Sequence, residues 1–353
     1  FHRERYHAVT RPALLTALLG YTFVVIGLLA DLGRPYNVWH PMVPYMWSPN
    51  SVLFEVGICV MIYLSVLYAE FLPVVCSRLQ NNQRYPRLAR ISCALNSVLG
   101  KTMFLFIIAG VVLSCAHQSS LGALLVIAPS KVHPLWWSPI LPLMFLLSAV
   151  AVGFPMVIFE SLIASRSFGL KPEMKVLSPL SRFIPVLLGV YLAVKMGDML
   201  IRESYVYLAE GSVQSTAFIL EIVLGVLVPI AILLTERGRS SVRGLMTAST
   251  LVVLGVAFNR INVFLVSFQP KTATTAYFPS FWEFAVTIGL VAGLALSYRA
   301  IVIHLPVIAQ SDEEEARYVR SIAILDSENL AESRLGVGAR GAVASSSGAT
   351  HLR

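Results

Sequence analysis

The 353-residue chain is 56% hydrophobic and 13% charged, and its mean hydropathy is +0.73. Soluble domains carry about 25% charged residues, so the composition excludes a soluble globular protein and predicts a polytopic membrane protein. The net charge of +8 does not indicate nucleic-acid binding, because the basic residues lie in short loops between apolar runs, where they report membrane topology.

Apolar runs of about 20 residues predict membrane-spanning helices. We label them α1 to α8, and they cover residues 12–30, 51–72, 101–120, 139–165, 183–200, 216–235, 245–268 and 281–304. Residues 1–305 are therefore expected to form an all-α transmembrane bundle. The segment 306–353 is acidic and then rich in Gly, Ala and Ser, so we predict a disordered cytoplasmic tail.

Basic residues are concentrated before α1 and in the α2–α3, α4–α5 and α6–α7 loops. The α1–α2 loop has only Arg34 and the α3–α4 loop only Lys131. Because Lys and Arg are enriched in cytoplasmic loops, both ends of this chain are expected in the cytoplasm, and the Arg34 and Lys131 loops outside.

The outer loops are rich in proline and aromatic residues, as in PYNVWHPMVPYMWSP at 35–49 and PSKVHPLWWSPILP at 129–142. An interfacial aromatic belt explains part of this pattern, but the inner loops have far less of it. We therefore expect the outer face to hold a partner subunit or a flat aromatic ligand, with Trp39, Trp47 and Trp136 on a partner surface.

Ionisable side chains inside the predicted helices mark candidate sites, because a charge near the bilayer centre costs at least ~2.5–3.5 kcal/mol and usually faces a bundle interior or a cavity. Glu55 lies about one turn into α2, and Glu160 lies toward the inner end of α4. The others lie mostly in the outer half: Asp31, Arg34, His117, Lys195, Asp198, Arg202, Glu221, Arg260 and Glu283.

For the deeper side chains of Glu55, His117, Glu221 and Arg260 we expect a functional site or a buried ion pair. The alternative for Glu55 is a neutral, hydrogen-bonded carboxyl group that locks two helices together. Residues at helix ends, such as Arg202, are expected to anchor the helix at the interface.

A similar polar pattern occurs twice along the chain. DLGR at 31–34 precedes Glu55, and DMLIR at 198–202 precedes Glu221. Two four-helix halves in parallel orientation would explain this repetition. The tendency of polar residues to collect at helix ends would explain it equally well.

Haem b bound by two imidazoles requires two histidines at similar depth on facing helices. His117 lies in the outer half, His304 lies inside, and His40 and His133 lie in outer loops, so no haem is expected. No metal site is expected either, because the spacing of the four cysteines does not match a metal-binding motif. They are Cys59, Cys76, Cys93 and Cys115.

Seven stretches are familiar in combination: YHAVTRPALL (6–15), DLGRP (31–35), NSVLFE (50–55), HQSSLG (117–122), KVHPLWWS (131–138), VIFE (157–160) and AYFP (276–279). With them the sequence resembles the NrfD/PsrC family of quinone-interacting membrane subunits. The HQSSLG and KVHPLW stretches are specific to its HybB branch, from periplasm-facing uptake nickel–iron hydrogenases. The likeness runs from the first residue to about residue 305, and the branch carries about two further N-terminal helices that this chain is expected to lack.

The resemblance implies a membrane anchor and quinone-reacting subunit of a respiratory oxidoreductase, in the bacterial inner membrane, with no haem or iron–sulfur cluster of its own. A ferredoxin-like iron–sulfur subunit would dock on its outer face and connect it to a hydrogenase or molybdopterin catalytic subunit. Electrons would pass between that subunit and menaquinone or ubiquinone in the outer half of the bundle. The resemblance leaves open whether protons are translocated at the same time.

The resemblance also assigns quinone and proton handling to four residues through the local motifs GY, LFE, HQSS and IFE. They are Tyr21, Glu55, His117 and Glu160. Asp31 and Arg34, at the outer end of α1, are expected to bind the quinone together with Glu55 and His117. Reduction of a quinone takes up two protons, so a dry site needs titratable groups to relay them.

A proton-coupled secondary transporter is the alternative function, because buried charges and proline-broken helices also fit a carrier. A carrier needs substrate access from both faces and no docking platform for a redox partner. An adjacent gene for an iron–sulfur protein would favour the oxidoreductase subunit.

Overall fold

The computed structural model describes residues 7–80, 86–167, 172, 174–269, 278–305 and 307. In this part of the chain eight helices are long and apolar enough to cross a membrane, which confirms the prediction of an all-α polytopic bundle. They are α1 His7–Asp31, α2 Val52–Gln80, α3 Pro86–Val126, α4 Leu141–Ser167, α5 Phe183–Ile201, α6 Val213–Leu234, α7 Val242–Val266 and α8 Phe281–His304. Apart from Val307, the predicted tail at 306–353 lies outside the described residues.

The predicted bounds are too short at the inner ends of α2 and α3. The α2 helix continues to Gln80, and α3 has 41 residues where about 20 were predicted. At 1.5 Å per residue α3 is about 60 Å long, twice the ~30 Å hydrocarbon core. The apolar run marks only the part of a helix inside the hydrocarbon, because polar residues beyond it continue the helix in the headgroup region and water.

The eight spanning helices pack as two groups of four, each around its own apolar core. One core lies between α1, α2, α3 and α8, which we call the α1–α3 group, and the other between α4, α5, α6 and α7, which we call the α4–α7 group. The membership differs from a division at the middle of the chain, because α4 packs on α5 and α7, and α8 packs on α1. Small residues allow the last contact: Gly27 faces Leu290, and Gly293 faces the ring of Phe23.

We call the end of the bundle that carries the α1–α2, α3–α4, α5–α6 and α7–α8 connections the outer end. Three of these connections meet there. The α3–α4 connection pairs with the segment after α7 through hydrogen bonds from the His133 N–H to the Ser267 carbonyl (2.8 Å) and from the Gln269 N–H to the Lys131 carbonyl (2.7 Å). It also contacts the end of α5, where Arg202 donates to the Pro134 carbonyl.

The α6 and α7 helices both contain a π-helical segment, at Val223–Leu227 and Asn262–Val266. Gly225 lies in the first segment, and Gly255 lies in α7 seven residues before the second. These two glycines let the backbones of α6 and α7 touch, since a Cβ added at Gly225 would lie only 2.8 Å from the Gly255 Cα. Such π-helical turns are frequent at functional sites. Here they lie beside the polar residue Glu221 of α6, described below.

Gly255→Ala should therefore lower the free energy of unfolding by about 1–3 kcal/mol, because the added methyl group would force the α6–α7 crossing apart. Gly189→Ala in α5 is the matched control, since a Cβ there meets nothing within 4 Å. Unfolding of both variants in mixed micelles measures the difference. Equal stability of the two variants would contradict the backbone contact.

Candidate functional site

The first polar cluster lies near the outer end of the α1–α3 group. The hydroxyl of Ser120 in α3 donates to the Glu55 carboxylate in α2 at 2.5 Å. Glu55 is three residues from the start of α2, and Ser120 is six residues from the end of α3, so both lie within about 10 Å of the outer end. Ser120 is buried, whereas Glu55 is exposed. The cluster is therefore open to the surroundings on the Glu55 side.

One turn further from the outer end, the His117 ring packs against Tyr21 of α1. Their ring centroids are 5.5 Å apart, and Tyr21 also meets the ring of Tyr63 in α2 at 4.6 Å. His117 is only 6% exposed, and its Nδ1 atom has no hydrogen-bond partner in the described part of the protein. Because buried polar atoms are nearly always paired, this nitrogen is available to a ligand or a water molecule.

The structure thus brings three of the predicted site residues, Tyr21, Glu55 and His117, to one region of the α1–α3 group. It adds Ser120 and Tyr63, which the sequence analysis missed. Periodicity could have indicated Tyr63, because positions 55 and 63 lie on one face of α2.

Asp31 and Arg34 lie at the end of α1 and in the turn after it, and both are exposed. Neither belongs to the two ion pairs found among the described residues. No hydrogen bond among the described residues connects either side chain to His117 or Tyr21.

Glu160 lies in the inner half of the bundle and receives a hydrogen bond of 3.0 Å from the Tyr298 hydroxyl of α8. Glu160 is 19 residues from the outer end of α4, which is about 28 Å along the helix. Glu70 lies at a similar depth in α2, and its carboxylate packs against Gly110 of α3. The two inner carboxyl groups and the outer Glu55 are thus separated by most of the membrane thickness.

A second polar cluster lies inside the α4–α7 group, around the buried carboxylate of Glu221 in α6. Glu221 forms an ion pair with Lys195 of α5. It also accepts hydrogen bonds from the Trp136 indole N–H (3.0 Å) and from the side-chain amides of Asn259 (2.8 Å) and Asn262 (2.9 Å). The described contacts therefore supply one donor for each of the four lone-pair sites of a carboxylate.

The same cluster contains a second cation, Arg260 of α7. Its guanidinium donates to the Ser148 hydroxyl (2.9 Å) and the Phe145 carbonyl (3.2 Å), and it lies 3.7 Å from the centre of the Phe145 ring. Dipoles and a cation–π contact therefore stabilise this charge. The sequence analysis flagged Glu221, Arg260 and Lys195, but it missed the two asparagines because they are not ionisable.

The prediction that Trp136 lies on a partner surface was wrong. Its side chain is 2% exposed, because the indole points into the bundle to reach Glu221. Trp39 and Trp47 are each 48% exposed, as a surface role requires. Arg202, expected to be an interfacial anchor, lies at the outer end of α5 and pairs with Asp198 at 2.8 Å.

The described histidines do not fit a haem held by two imidazoles. His117 is the one described histidine in the interior of a spanning helix, since the others lie in connections or at helix ends. Burial lowers the pKa of the His133 imidazole, and the Glu210 carboxylate offsets part of the shift. The neutral ring accepts a hydrogen bond at Nδ1 from the Leu135 N–H. Within the described residues no group of three or more His, Cys, Asp or Glu could hold a metal ion.

The sequence model for polysulphide reductase, NrfD, matches residues 1–269 of the chain. The chain belongs to the NrfD family. It is 36% identical over 316 residues to a protein of Nitratidesulfovibrio vulgaris, an alignment that covers 87% of this chain and 78% of that protein. The confirmed family agrees with the resemblance found in the sequence.

Two further relatives have informative names. The probable Ni/Fe-hydrogenase 2 b-type cytochrome subunit of Escherichia coli K12 is 35% identical over 311 residues, covering 87% of this chain and 76% of the relative. The menaquinone reductase integral membrane subunit of N. vulgaris is 25% identical over 330 residues. This alignment covers 85% of this chain and 75% of that subunit. This NrfD-family chain is thus similar to membrane subunits of hydrogenase and reductase complexes.

Lys195→Met should lower the free energy of unfolding by about 3–5 kcal/mol, because it leaves the buried Glu221 carboxylate without its cation. Lys131→Met, at an exposed lysine of the outer loop, is the control and should have little effect. Denaturant titration in mixed micelles measures both. An equal response of the two variants would contradict a buried ion pair.

Proposed function

We propose that this NrfD-family chain is the membrane anchor and quinone-reacting subunit of a respiratory oxidoreductase. It exchanges electrons between an iron–sulfur subunit docked at the outer end and quinone in the bacterial inner membrane. The observation that carries the proposal is the cluster of Tyr21, Glu55, His117 and Ser120, with its unpaired buried imidazole nitrogen. The family and the names of the hydrogenase and menaquinone reductase relatives support it over a proton-coupled transporter.

The chemistry of this cluster suits a quinone. Its reduction to quinol adds two electrons and two protons, and its carbonyl oxygens need hydrogen-bond donors as negative charge develops on them. In this proposal the His117 imidazole donates to one carbonyl, and the ring of Tyr21 packs beside the quinone head group. Glu55, which is open to the surroundings, takes up a proton there and passes it toward the quinone through the Ser120 hydroxyl. The hydrogen bond in which Ser120 donates to the Glu55 carboxylate reverses once that carboxylate is protonated. Asp31 and Arg34 are proposed at the mouth of the site.

The inner carboxyl groups are proposed to supply protons from the other side of the membrane. Glu160, oriented by Tyr298, would receive protons near the inner end, and Tyr21 lies between Glu160 and Glu55 in depth. Because Glu55 and Glu160 are too far apart for direct contact, water molecules or other side chains must connect them.

The partner is proposed to be a ferredoxin-like iron–sulfur subunit that leads to a hydrogenase catalytic subunit. The exposed aromatic side chains of Trp39, Tyr45 and Trp47 in the α1–α2 connection form the proposed contact surface. Electrons then pass directly from the iron–sulfur subunit to the quinone. We propose no haem in this chain, although one relative is named a b-type cytochrome subunit, because the described histidines do not fit a bis-imidazole site.

His117→Gln should slow quinone reduction by about 10²-fold, because it removes a group positioned for hydrogen bonding and proton transfer. His304→Gln, at the exposed inner end of α8, is the matched control. Quinone reduction by the purified complex measures the effect, with electron transfer to an artificial dye as a check on assembly. Normal quinone turnover in His117→Gln, or a haem Soret band in the wild type that this variant loses, would contradict the assignment.

Glu160→Gln should impair quinone turnover and any linked proton movement in vesicles, while electron transfer to the dye stays normal. Tyr298→Phe should have a smaller effect in the same direction, since it removes only the hydrogen bond that orients the carboxyl group. Tyr205→Phe, at an exposed outer tyrosine, is the control. If Glu160→Gln matched the wild type, the inner end of the route would have to be Glu70.

A further inference from the structure

The connection between α3 and α4, residues 127–140, is inserted into the outer end of the α4–α7 group, and we call it the outer plug. Its residues Leu135, Trp136 and Ser138 are 3%, 2% and 0% exposed. Connections usually run over a protein surface, because a buried loop must satisfy its backbone polar groups. The outer plug therefore requires specific partners to stay in place.

Several of these partners lie near the surface. The outer plug pairs with residues 267–269 through two backbone hydrogen bonds. The Ser138 hydroxyl donates to Asp198 (2.7 Å), and Arg202 donates to the Pro134 carbonyl (3.1 Å). These contacts fix both ends of the outer plug, but none of them reaches the centre of the helix group.

The Trp136 indole makes the deep contact, to the Glu221 carboxylate. Glu221 is eight residues from the outer end of α6, about 12 Å along the helix. The Trp136 ring also packs edge-on against Phe218 and His133. Because the other acceptor sites of Glu221 are occupied by Lys195 and two asparagines, the carboxylate has a fixed orientation and offers Trp136 a single position.

The outer plug also packs against the end of α3. Leu125 is part of the core that contains Trp136, and Leu121 packs against that core. Gly122 brings α3 against the start of α4, since a Cβ there would lie 2.7 Å from the Pro142 Cα. His117 and Ser120 lie within about one and a half turns of these contacts, so the position of the outer plug sets the position of both side chains.

We propose that Glu221 is a positioning residue for the His117 cluster and acts through Trp136 and the outer plug. The buried carboxylate holds Trp136, Trp136 holds the end of α3, and α3 keeps His117 against Tyr21 and Ser120 against Glu55. The inference rests on the proposed function for its activity readout. Glu221 does not carry protons in this account, because a proton would have to displace one of its four donors.

The variant Trp136→Phe tests the contact, because it removes the indole N–H and keeps an aromatic ring. Trp137→Phe is the matched control, since the indole N–H of Trp137 has no partner in the described part of the chain. Trp136→Phe should raise the KM for quinone about tenfold, the size expected when a hydrogen bond to a charged group is lost. Trp137→Phe should leave the KM unchanged.

Hydrogen–deuterium exchange provides a readout independent of quinone activity. In Trp136→Phe the amides of 117–126 and of the outer plug should exchange about tenfold faster than in the wild type, and in Trp137→Phe they should not. If the wild type reduced no quinone, the proposed function would fail, and this exchange experiment would still decide the positioning role. Equal exchange in the two variants would overturn it.

Glu221→Gln separates positioning from proton transfer. If Glu221 acts through Trp136, this variant should change KM and exchange in the same direction as Trp136→Phe, and the double variant should be no worse than Glu221→Gln alone. Slow turnover in Glu221→Gln with wild-type turnover and exchange in Trp136→Phe would overturn the proposal. It would make Glu221 a proton carrier in its own right.

Discussion

The cost of a buried charge in a membrane governs this structure. A carboxylate or a cation inside the bilayer must find its partners within the protein, because no water is available to supply them. Glu221 meets this requirement completely, with Lys195, Trp136, Asn259 and Asn262 as donors. His117 does not, since one of its ring nitrogens has no partner among the described residues. The Asn262 Oδ1 atom beside Glu221 also lacks a partner among the described residues, but the charged carboxylate there is fully paired. We therefore interpret the Glu221 cluster as structural and the His117 cluster, which is open on the Glu55 side, as functional.

This division follows the two helix groups. The α4–α7 group is built around the satisfied cluster, and its π-helical segments and glycine crossing bring α6 close enough to α7 for both asparagines to reach Glu221. The α1–α3 cluster is open on the Glu55 side. The α4 helix packs on members of both groups, and the outer plug links α3 to it. The α4–α7 group can thus hold the end of α3, and with it His117 and Ser120, in place.

Much of this organisation could be predicted from the sequence. Apolar runs indicated every described spanning helix, and the cost of buried charge marked Glu221 and Arg260 as deep polar residues. The local motifs placed Tyr21, Glu55 and His117 in the candidate site. Helix length in the headgroup region could not be predicted, because hydropathy does not report it.

Contacts between residues far apart in the chain were the other feature that could not be predicted from the sequence. The contact between Trp136 and Glu221 joins residues 85 positions apart, and no local pattern indicates it. Trp136 therefore resembled a surface aromatic residue of an outer loop. The grouping of α8 with α1 was missed for the same reason, since it depends on two glycines in distant helices. Ser120, Tyr63 and Tyr298 are common residue types in membrane helices, and only their neighbours give them a role.

The central claim is that quinone binds beside His117 in the α1–α3 group. Photocrosslinking measures this most directly, with a photoreactive quinone added to the purified complex in lipid and the adducts mapped by mass spectrometry. The account predicts adducts on the peptides that contain Tyr21, Tyr63 and His117, and their loss when excess menaquinone competes. Competed adducts confined to α4–α7, around Lys195 and Glu221, would contradict it.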